Sequence, residues 1–189
     1  MAGKTSDYLS PFKILVAEPN PLMCRVTRQL LSMLGARRIF TVSDSETAKS
    51  YLKQGEIDFI LSEWYLYTSD GIDLVRWLRA QRSDIRYTPF IMVTSQTRMQ
   101  NVIMARNLGI TEFVAKPFSA NSPITRIKEV IERPRPFVST SRYFGPDRRR
   151  RTKITDEGAD RRKSEALLID GRHLTQDQID NVVAGDSIR

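Results

Sequence analysis

Short apolar runs alternate with segments of helical periodicity between residues 11 and 133 of the chain. The runs are rich in β-branched and aromatic residues and are bounded by polar turn residues, which is typical of buried strands. They cover residues 13–17, 38–42, 57–62, 89–94 and 111–115. Between them, apolar residues recur at intervals of three and four, which indicates amphipathic helices. Alternating strands and helices predict an α/β fold with a doubly wound, five-stranded parallel sheet.

Capping residues mark several helix ends. Asn20 followed by Pro21 predicts a helix start, because a side-chain oxygen can cap the free amides and proline fits the first turn. Ser122 before Pro123 predicts the start of the fifth helix in the same way, and Gly109 predicts the end of the fourth. The predicted helices cover residues 21–34, 44–53, 71–79, 96–108 and 122–132.

A carboxylate ends the third predicted strand. Glu63 directly follows the apolar run 57–62, and functional groups of open α/β sheets gather at the carboxyl ends of the strands. Position alone leaves two interpretations open. Glu63 is either a functional carboxylate or an acid that caps the strand and pairs with a lysine.

Several short motifs follow one another in a familiar order. They are Ile14 to Glu18, Ile60 to Trp64, Asp70-Gly71, Val93 to Ser95 and Lys116 to Phe118. Together they resemble the CheY-like receiver domain of two-component response regulators. The resemblance implies a flavodoxin-like order of strands and a signalling role without enzymatic activity.

Two residues depart from the receiver pattern. In that family an acidic pair after the first strand and an aspartate after the third hold Mg²⁺, and the aspartate accepts a phosphoryl group. Glu18 keeps one acid, Pro19 replaces the other, and Glu63 stands at the phosphoacceptor position with an extra methylene. Because Mg²⁺ coordination and phosphoryl transfer both need closely placed oxygens, we expect a pseudo-receiver without a metal site or catalytic residue. An atypical phosphorylatable regulator is the alternative.

Other receiver positions are retained. Thr94 and Lys116 match the family's switch hydroxyl and lysine, and with Glu18 and Glu63 they form a predicted degenerate phosphoacceptor pocket. Phe113 matches the switch aromatic. If Glu63 reaches Lys116, the pair either mimics a phosphorylated site or serves only as a structural ion pair.

The resemblance also implies a partner-binding surface on the fourth helix, fifth strand and fifth helix. Apolar residues at helical spacing are equally typical of a core, so both interpretations of this surface stay open. The surface would include Met99, Val102, Ile103, Arg106 and Phe113.

The composition of the chain predicts an anionic partner. The 189 residues suffice for one domain and a tail, and the net charge of +8 favours a nucleotide, a nucleic acid or an acidic surface as ligand. The single cysteine, Cys24, excludes an internal disulfide. No apolar run is long enough to insert into a membrane, so we expect a cytoplasmic protein.

The composition changes after Glu132. Residues 133–136 alternate arginine with proline and predict a stiff, extended linker. We therefore divide the chain into an N-terminal extension (1–10), a receiver-like domain (11–133) and a basic, largely extended tail (134–189). Within the tail, residues 175–183 predict a short helix with Ile179, Val182 and Val183 on one side.

The tail repeats a triplet of one acid and two arginines, at 147–149 and again at 160–162. An arginine fork can bond guanine O6 and N7, and a carboxylate can accept from guanine N1–H and its amine. Two such units suit a ligand with two guanines and two phosphates. The predicted contacts are Arg142, Tyr143, Asp147, Arg148, Arg149, Arg150, Arg151, Asp160, Arg161 and Arg162.

The run from Gly145 to Arg150 resembles the arginine-rich extension of CheY-like cyclic di-GMP effectors, some of which act on the flagellar motor. The resemblance implies cyclic di-GMP as ligand, no other cofactor, and a signalling or motor protein as partner. Two alternatives stay open. The basic tail could track the phosphates of a nucleic acid, or it could be a solvated basic segment.

Overall fold

The structure, a computed structural model, describes residues 7–117, 121–140, 143–148 and 173–184. Its strands are β1 (Lys13–Ala17), β2 (Arg38–Val42), β3 (Phe59–Ser62), β4 (Phe90–Thr94) and β5 (Glu112–Ala115). They form one parallel sheet in the order β2-β1-β3-β4-β5. The predicted α/β fold with a five-stranded parallel sheet is confirmed.

Helices cover both faces of this sheet, because successive side chains of a strand point to opposite sides. The helices are α1 (Pro21–Met33), α2 (Ser45–Lys53), α3 (Gly71–Arg79), α4 (Met99–Asn107) and α5 (Asn121–Glu132). Ile14 and Val16 of β1 enter one apolar core with residues of α1 and α5. Leu15 and Ala17 enter the other core, which α2, α3 and α4 share.

Most predicted helix ends agree with the structure. The Asn20 side chain accepts hydrogen bonds from the amides of Leu22 and Met23, as expected of an N-cap. The fifth helix begins at Asn121, so the prediction that Ser122 caps it is wrong: that residue lies inside the first turn. The fourth helix begins only at Met99, since a loop closed by local hydrogen bonds occupies residues 95–98.

The tail turns back on the sheet domain in a way that the sequence did not predict. Strands β6 (Phe137–Ser139) and β7 (Phe144–Pro146) pair antiparallel just after the proline-rich linker. Phe137, Phe144 and Tyr87 form an aromatic cluster with ring centroids 5.3–5.5 Å apart. Aromatic contacts at this spacing stabilise beyond their buried area, so this part of the tail is packed rather than extended.

Two glycines let the strand pair approach closely. Gly109, which ends α4 with a φ of 91°, lies against Gly145 of β7. A Cβ on Gly109 would stand 2.6 Å from the carbonyl oxygen of Phe144, and one on Gly145 would stand 2.7 Å from the Gly109 Cα. Only glycine at both positions allows this backbone contact.

Arg79 supports the strand pair from inside the domain. Its side chain is buried and donates to the carbonyl oxygens of Gly109 (2.9 Å), Arg86 (2.6 Å) and Thr88 (2.8 Å). Its guanidinium also lies over the Phe137 ring at 5.0 Å. Burial lowers the pKa of Arg79 to about 9, so the group is still charged at neutral pH. The buried cation is thereby matched by carbonyl oxygens and an aromatic face.

The predicted C-terminal helix is present as α6 (Gln176–Ala184). Ile179, Val182 and Val183 are buried and join the core shared by α2, α3 and α4. Among the described residues, none of the helices is both long and apolar enough to cross a membrane.

Gly109→Ala should destabilise the protein more than Gly55→Ala. Both glycines have a positive φ, which costs about 1 kcal/mol for alanine, but only Gly109 has a close neighbour. The contact with the Phe144 carbonyl adds overpacking, so we expect a loss of about 3 kcal/mol at Gly109. Urea unfolding of both variants measures the difference, and equal losses would contradict the close contact.

Candidate functional site

Three charged residues of the predicted pocket meet at the carboxyl ends of three strands. Glu18 follows β1, Glu63 follows β3 and Lys116 follows β5. In a parallel sheet these ends lie at one edge, which is where side chains from separate strands can converge. The structure brings these three side chains into direct contact.

Lys116 lies between two carboxylates. Its Nζ donates to Glu18 Oε2 at 2.5 Å and to Glu63 Oε2 at 2.7 Å. The side chains of Glu18, Glu63 and Lys116 are only 7%, 15% and 12% exposed. Burial by itself would lower the pKa of Lys116, but the hydrogen bonds to Glu18 and Glu63 outweigh it and raise the pKa above that of ordinary lysine.

The second oxygen of each carboxylate binds the backbone. Glu63 Oε1 accepts from the Trp64 amide at 2.6 Å, and Glu18 Oε1 accepts from the Asn20 amide at 3.0 Å. All four carboxylate oxygens are therefore engaged. This arrangement is a complete hydrogen-bonded ion cluster, which is the condition under which buried charges are tolerated.

Gly71 holds the backbone of Glu63 in place. Its amide donates to the Trp64 carbonyl at 2.6 Å, and a Cβ at this position would stand 2.2 Å from the Glu63 carbonyl oxygen. The Ser62 hydroxyl donates to the Glu63 carbonyl oxygen at 3.0 Å. The Asp70-Gly71 motif thus positions the acid by backbone contact.

Thr94 of β4 and Phe113 of β5 are core residues. Both are fully buried. The Thr94 hydroxyl accepts from the Gln96 amide at 3.2 Å. This hydrogen bond ties Thr94 to the loop that precedes α4, and not to Glu63. The Phe113 ring packs with Val102 of α4 and with Ile179 of α6. The surface on which Phe113 was expected to act is therefore covered.

The donor set does not suit Mg²⁺. An octahedral magnesium site needs several free oxygen ligands, but here both carboxylates are bound to the Lys116 ammonium. Pro19 contributes no side-chain ligand, and its carbonyl oxygen accepts from the Tyr67 hydroxyl at 3.2 Å. Lys116 occupies the electrostatic role that a metal cation would have between these acids.

The tail residues fall into two groups. Tyr143, Asp147 and Arg148 belong to the described part: Tyr143 directly precedes strand β7, and the other two directly follow it. The guanidinium of Arg148 lies 3.9 Å from the centroid of the Tyr143 ring, and its Nη2 donates to the Arg106 carbonyl at 3.4 Å. The other predicted contacts, which are Arg142, Arg149, Arg150, Arg151, Asp160, Arg161 and Arg162, lie outside the described residues.

Sequence reasoning missed the residues that attach the tail. Arg79 supports the strand pair, while Arg106 and Gln176 hold α6 on the domain. Arginines in amphipathic helices are usually predicted to face solvent, so nothing local in the sequence indicated that Arg79 and Arg106 are buried. The aromatic residues Tyr143 and Phe144 are a local signal that favours packing of this region.

The chain is similar to known receiver proteins over the sheet domain. The family described as the response regulator receiver domain matches residues 14–128. Chemotaxis protein CheY-3 of Vibrio cholerae is 30% identical over 121 residues, which are 64% of this chain and 92% of that protein. Chemotaxis protein CheY of Pseudomonas aeruginosa is 32% identical over 121 residues, which are 64% of this chain and 97% of that protein.

A solved structure shows the same likeness in three dimensions. The receiver domain of a sensor histidine kinase from Pseudomonas aeruginosa superimposes with a TM-score of 0.56 at 29% identity. The match covers 62% of this chain and 94% of that domain. That crystal structure has a magnesium ion coordinated in its active-site cleft.

Lys116→Met should destabilise the protein by about 3 kcal/mol at neutral pH, because two buried carboxylates lose their cation. The raised folded-state pKa of Lys116 means that its contribution is complete below the unfolded lysine pKa and disappears as pH rises through the folded value. The stability difference between wild type and variant should therefore persist to about pH 10 and shrink above it. Urea unfolding across this pH range measures it.

Lys13→Met is the matched control, because Lys13 pairs with the exposed Glu56 and should change stability much less. Equal effects of the two substitutions would contradict a buried, stabilising cluster around Lys116.

Proposed function

The chain belongs to the response regulator receiver domain family of two-component signalling, and on this premise we propose that it is a pseudo-receiver that binds cyclic di-GMP. The messenger binds through the arginine-rich tail, and the signal passes on by contact with another protein. The observation that carries the proposal is the repeated Asp-Arg-Arg triplet in a chain whose pocket is already filled by an ion cluster.

The ion cluster supports the loss of the phosphoryl input. A phosphoryl group would bring additional negative charge next to Glu18, and the Mg²⁺ that neutralises such charge in receivers lacks its second acid here, where Pro19 stands. Lys116 already donates to both glutamates, so a phosphoryl group would share its single positive charge with two carboxylates. The input of this domain is accordingly located elsewhere in the chain.

The geometry around Tyr143 supports the tail as that input. The strand pair holds the first two residues of the first triplet next to the domain: the Asp147 amide donates to the Pro136 carbonyl at 2.7 Å, and the Arg148 guanidinium lies on the Tyr143 ring. A guanidinium on an aromatic ring presents a second flat face on which a guanine base can stack. The second triplet supplies the contacts for the other guanine of a two-guanine ligand.

The partner is proposed to be a protein of chemotaxis or motor control. The similar CheY proteins of Vibrio cholerae and Pseudomonas aeruginosa are named as chemotaxis proteins, and the sheet domain has the same fold. A cyclic di-GMP input to such a domain couples the level of the messenger to motility.

Titration of the full-length chain with cyclic di-GMP in a calorimeter tests the ligand. Arg148→Ala and Arg161→Ala should each weaken binding by roughly 1–3 kcal/mol, the range of a bidentate contact to guanine. Lys153→Ala is the control, because a lysine near the site contributes only screened charge and should change binding less. The absence of binding heat in the wild-type chain would refute the messenger as ligand.

Two competitors sharpen this test. Cyclic di-AMP has the same phosphates without guanine, so it should bind at least about tenfold more weakly. A single-stranded oligonucleotide that binds more tightly, with a steep dependence on salt, would instead assign the tail to nucleic acid.

The pocket is tested with beryllofluoride, a phosphoryl mimic, and Mg²⁺. The emission of Trp64, which adjoins Glu63, reports occupancy in a Trp77→Phe background. The unaltered pocket should show no response. Adding Pro19→Asp and Glu63→Asp restores the acidic pair and the shorter acceptor, and this variant should respond in a Mg²⁺-dependent manner. A response of equal size in the unaltered pocket would contradict the pseudo-receiver.

A further inference from the structure

A buried acid on the edge strand β5 holds the linker that precedes the strand pair. The Glu112 side chain is only 5% exposed, and its Oε1 accepts a hydrogen bond from Nη2 of Arg135. Arg135 stands two residues before β6 in the sequence. This ion pair therefore joins the start of the first docked part of the tail to the last strand of the sheet.

A second arginine connects this acid to the C-terminal helix. Nη1 of Arg126 in α5 lies 3.9 Å from Oε2 of Glu112, and its Nη2 forms an ion pair with Asp180 of α6. The side chains of Arg126 and Asp180 are each only 14% exposed. Four side chains of alternating charge, which we call the charge chain, thus run from the linker to α6: Arg135, Glu112, Arg126 and Asp180.

Gln176 extends the charge chain to the backbone of β5. Its Nε2 donates to Asp180 Oδ1 at 2.8 Å and to the Phe113 carbonyl at 2.9 Å, while its Oε1 accepts from the Ala115 amide at 2.7 Å. The amide side chain thus binds free backbone groups of an edge strand. Because Asp180 orients this side chain, the last acid of the charge chain affects how firmly α6 is fixed to the sheet.

Burial makes the four charges depend on one another. An ion that is largely removed from water relies on its charged neighbours, and the loss of one partner is strongly destabilising. Two unit charges about 4 Å apart also attract about fourfold more strongly near a protein surface than in bulk water. Arg126 faces an acid on each side, so Glu112 and Asp180 compete for it. Arg135 decides this competition, because it neutralises Glu112 and leaves Arg126 to Asp180.

We propose that the charge chain couples the two docked parts of the tail, so that the strand pair and α6 bind the sheet domain as one cooperative unit. When Arg135 leaves Glu112, this carboxylate draws Arg126 away from Asp180, and α6 is held less firmly. The coupling free energy acts equally in both directions, so loss of Asp180 also weakens the hold on the linker. The coupling is a property of the folded chain and does not depend on the ligand proposed above.

Hydrogen exchange in the full-length chain tests the coupling. Arg135→Gln removes the first charge of the charge chain and keeps a polar side chain. Arg133→Gln is the matched control, because it is the same substitution in the same linker, at a side chain that is 79% exposed. The readout is the exchange of the α6 amides and of the Ala115 amide, which Gln176 binds. Exchange within β1 serves as the reference for global stability.

Arg135→Gln should speed exchange in α6 at least about threefold relative to β1, because Glu112 then competes for Arg126. Arg133→Gln should leave α6 unchanged. In a chain that already carries Asp180→Asn, Arg135→Gln should have no further effect on α6, since the contact through which it acts is gone. Unchanged exchange of α6 in Arg135→Gln, or the same acceleration in both backgrounds, would overturn the coupling. An equal effect of Arg133→Gln would overturn it as well.

Two further variants complete the test. Arg135→Lys keeps the positive charge, so exchange in α6 should stay close to that of wild type, and an acceleration as large as that of Arg135→Gln would contradict a role of the charge. If Arg135→Gln fails to fold, Asp180→Asn tests the reverse direction. It should speed exchange of the Asp147 amide, which donates to the Pro136 carbonyl at 2.7 Å, at least about threefold. Unchanged exchange of the Asp147 amide in this variant would refute the coupling.

Discussion

One ammonium group between two carboxylates determines the chemistry at the carboxyl edge of the sheet. Without Lys116, Glu18 and Glu63 would stand close together in a largely buried place and repel each other. With it, every carboxylate oxygen has a partner, and the repulsion between the two acids is offset by one positive charge. A metal ion that bound either carboxylate would compete with this ammonium for the oxygens.

The tail matters for the proposed function because an ion cluster already occupies the pocket. Strands β6 and β7 and helix α6 are added to a receiver fold, and Arg106 near the end of α4 contacts both Arg148, which follows β7, and α6. Arg106 accepts from Arg148 through its carbonyl oxygen and donates to the Val182 carbonyl through its guanidinium. The region after the strand pair and the C-terminal helix therefore meet at one point of the domain, which is where a change in one can reach the other.

Local sequence patterns determined the sheet domain almost entirely. Apolar runs of strand length, the Asn20 and Pro21 cap and the glycines after helices are signals within a few residues, so β1 to β5 and their helices could be predicted. The placing of Glu18, Glu63 and Lys116 at one edge followed from parallel strand order. Residue identity alone also showed that Pro19 removes an acid.

Only the tertiary structure decided how the tail is used. The contact of Gly109 with Gly145 and the burial of Arg79 against the Gly109 carbonyl join residues far apart in sequence. The docking of Gln176 on β5 is of the same kind. No local pattern encodes such contacts, because a buried arginine and an exposed one are the same letter until their neighbours are known. The sequence determined a receiver with an altered pocket, and the fold decided that the helix α6 covers the face formed by α4 and β5.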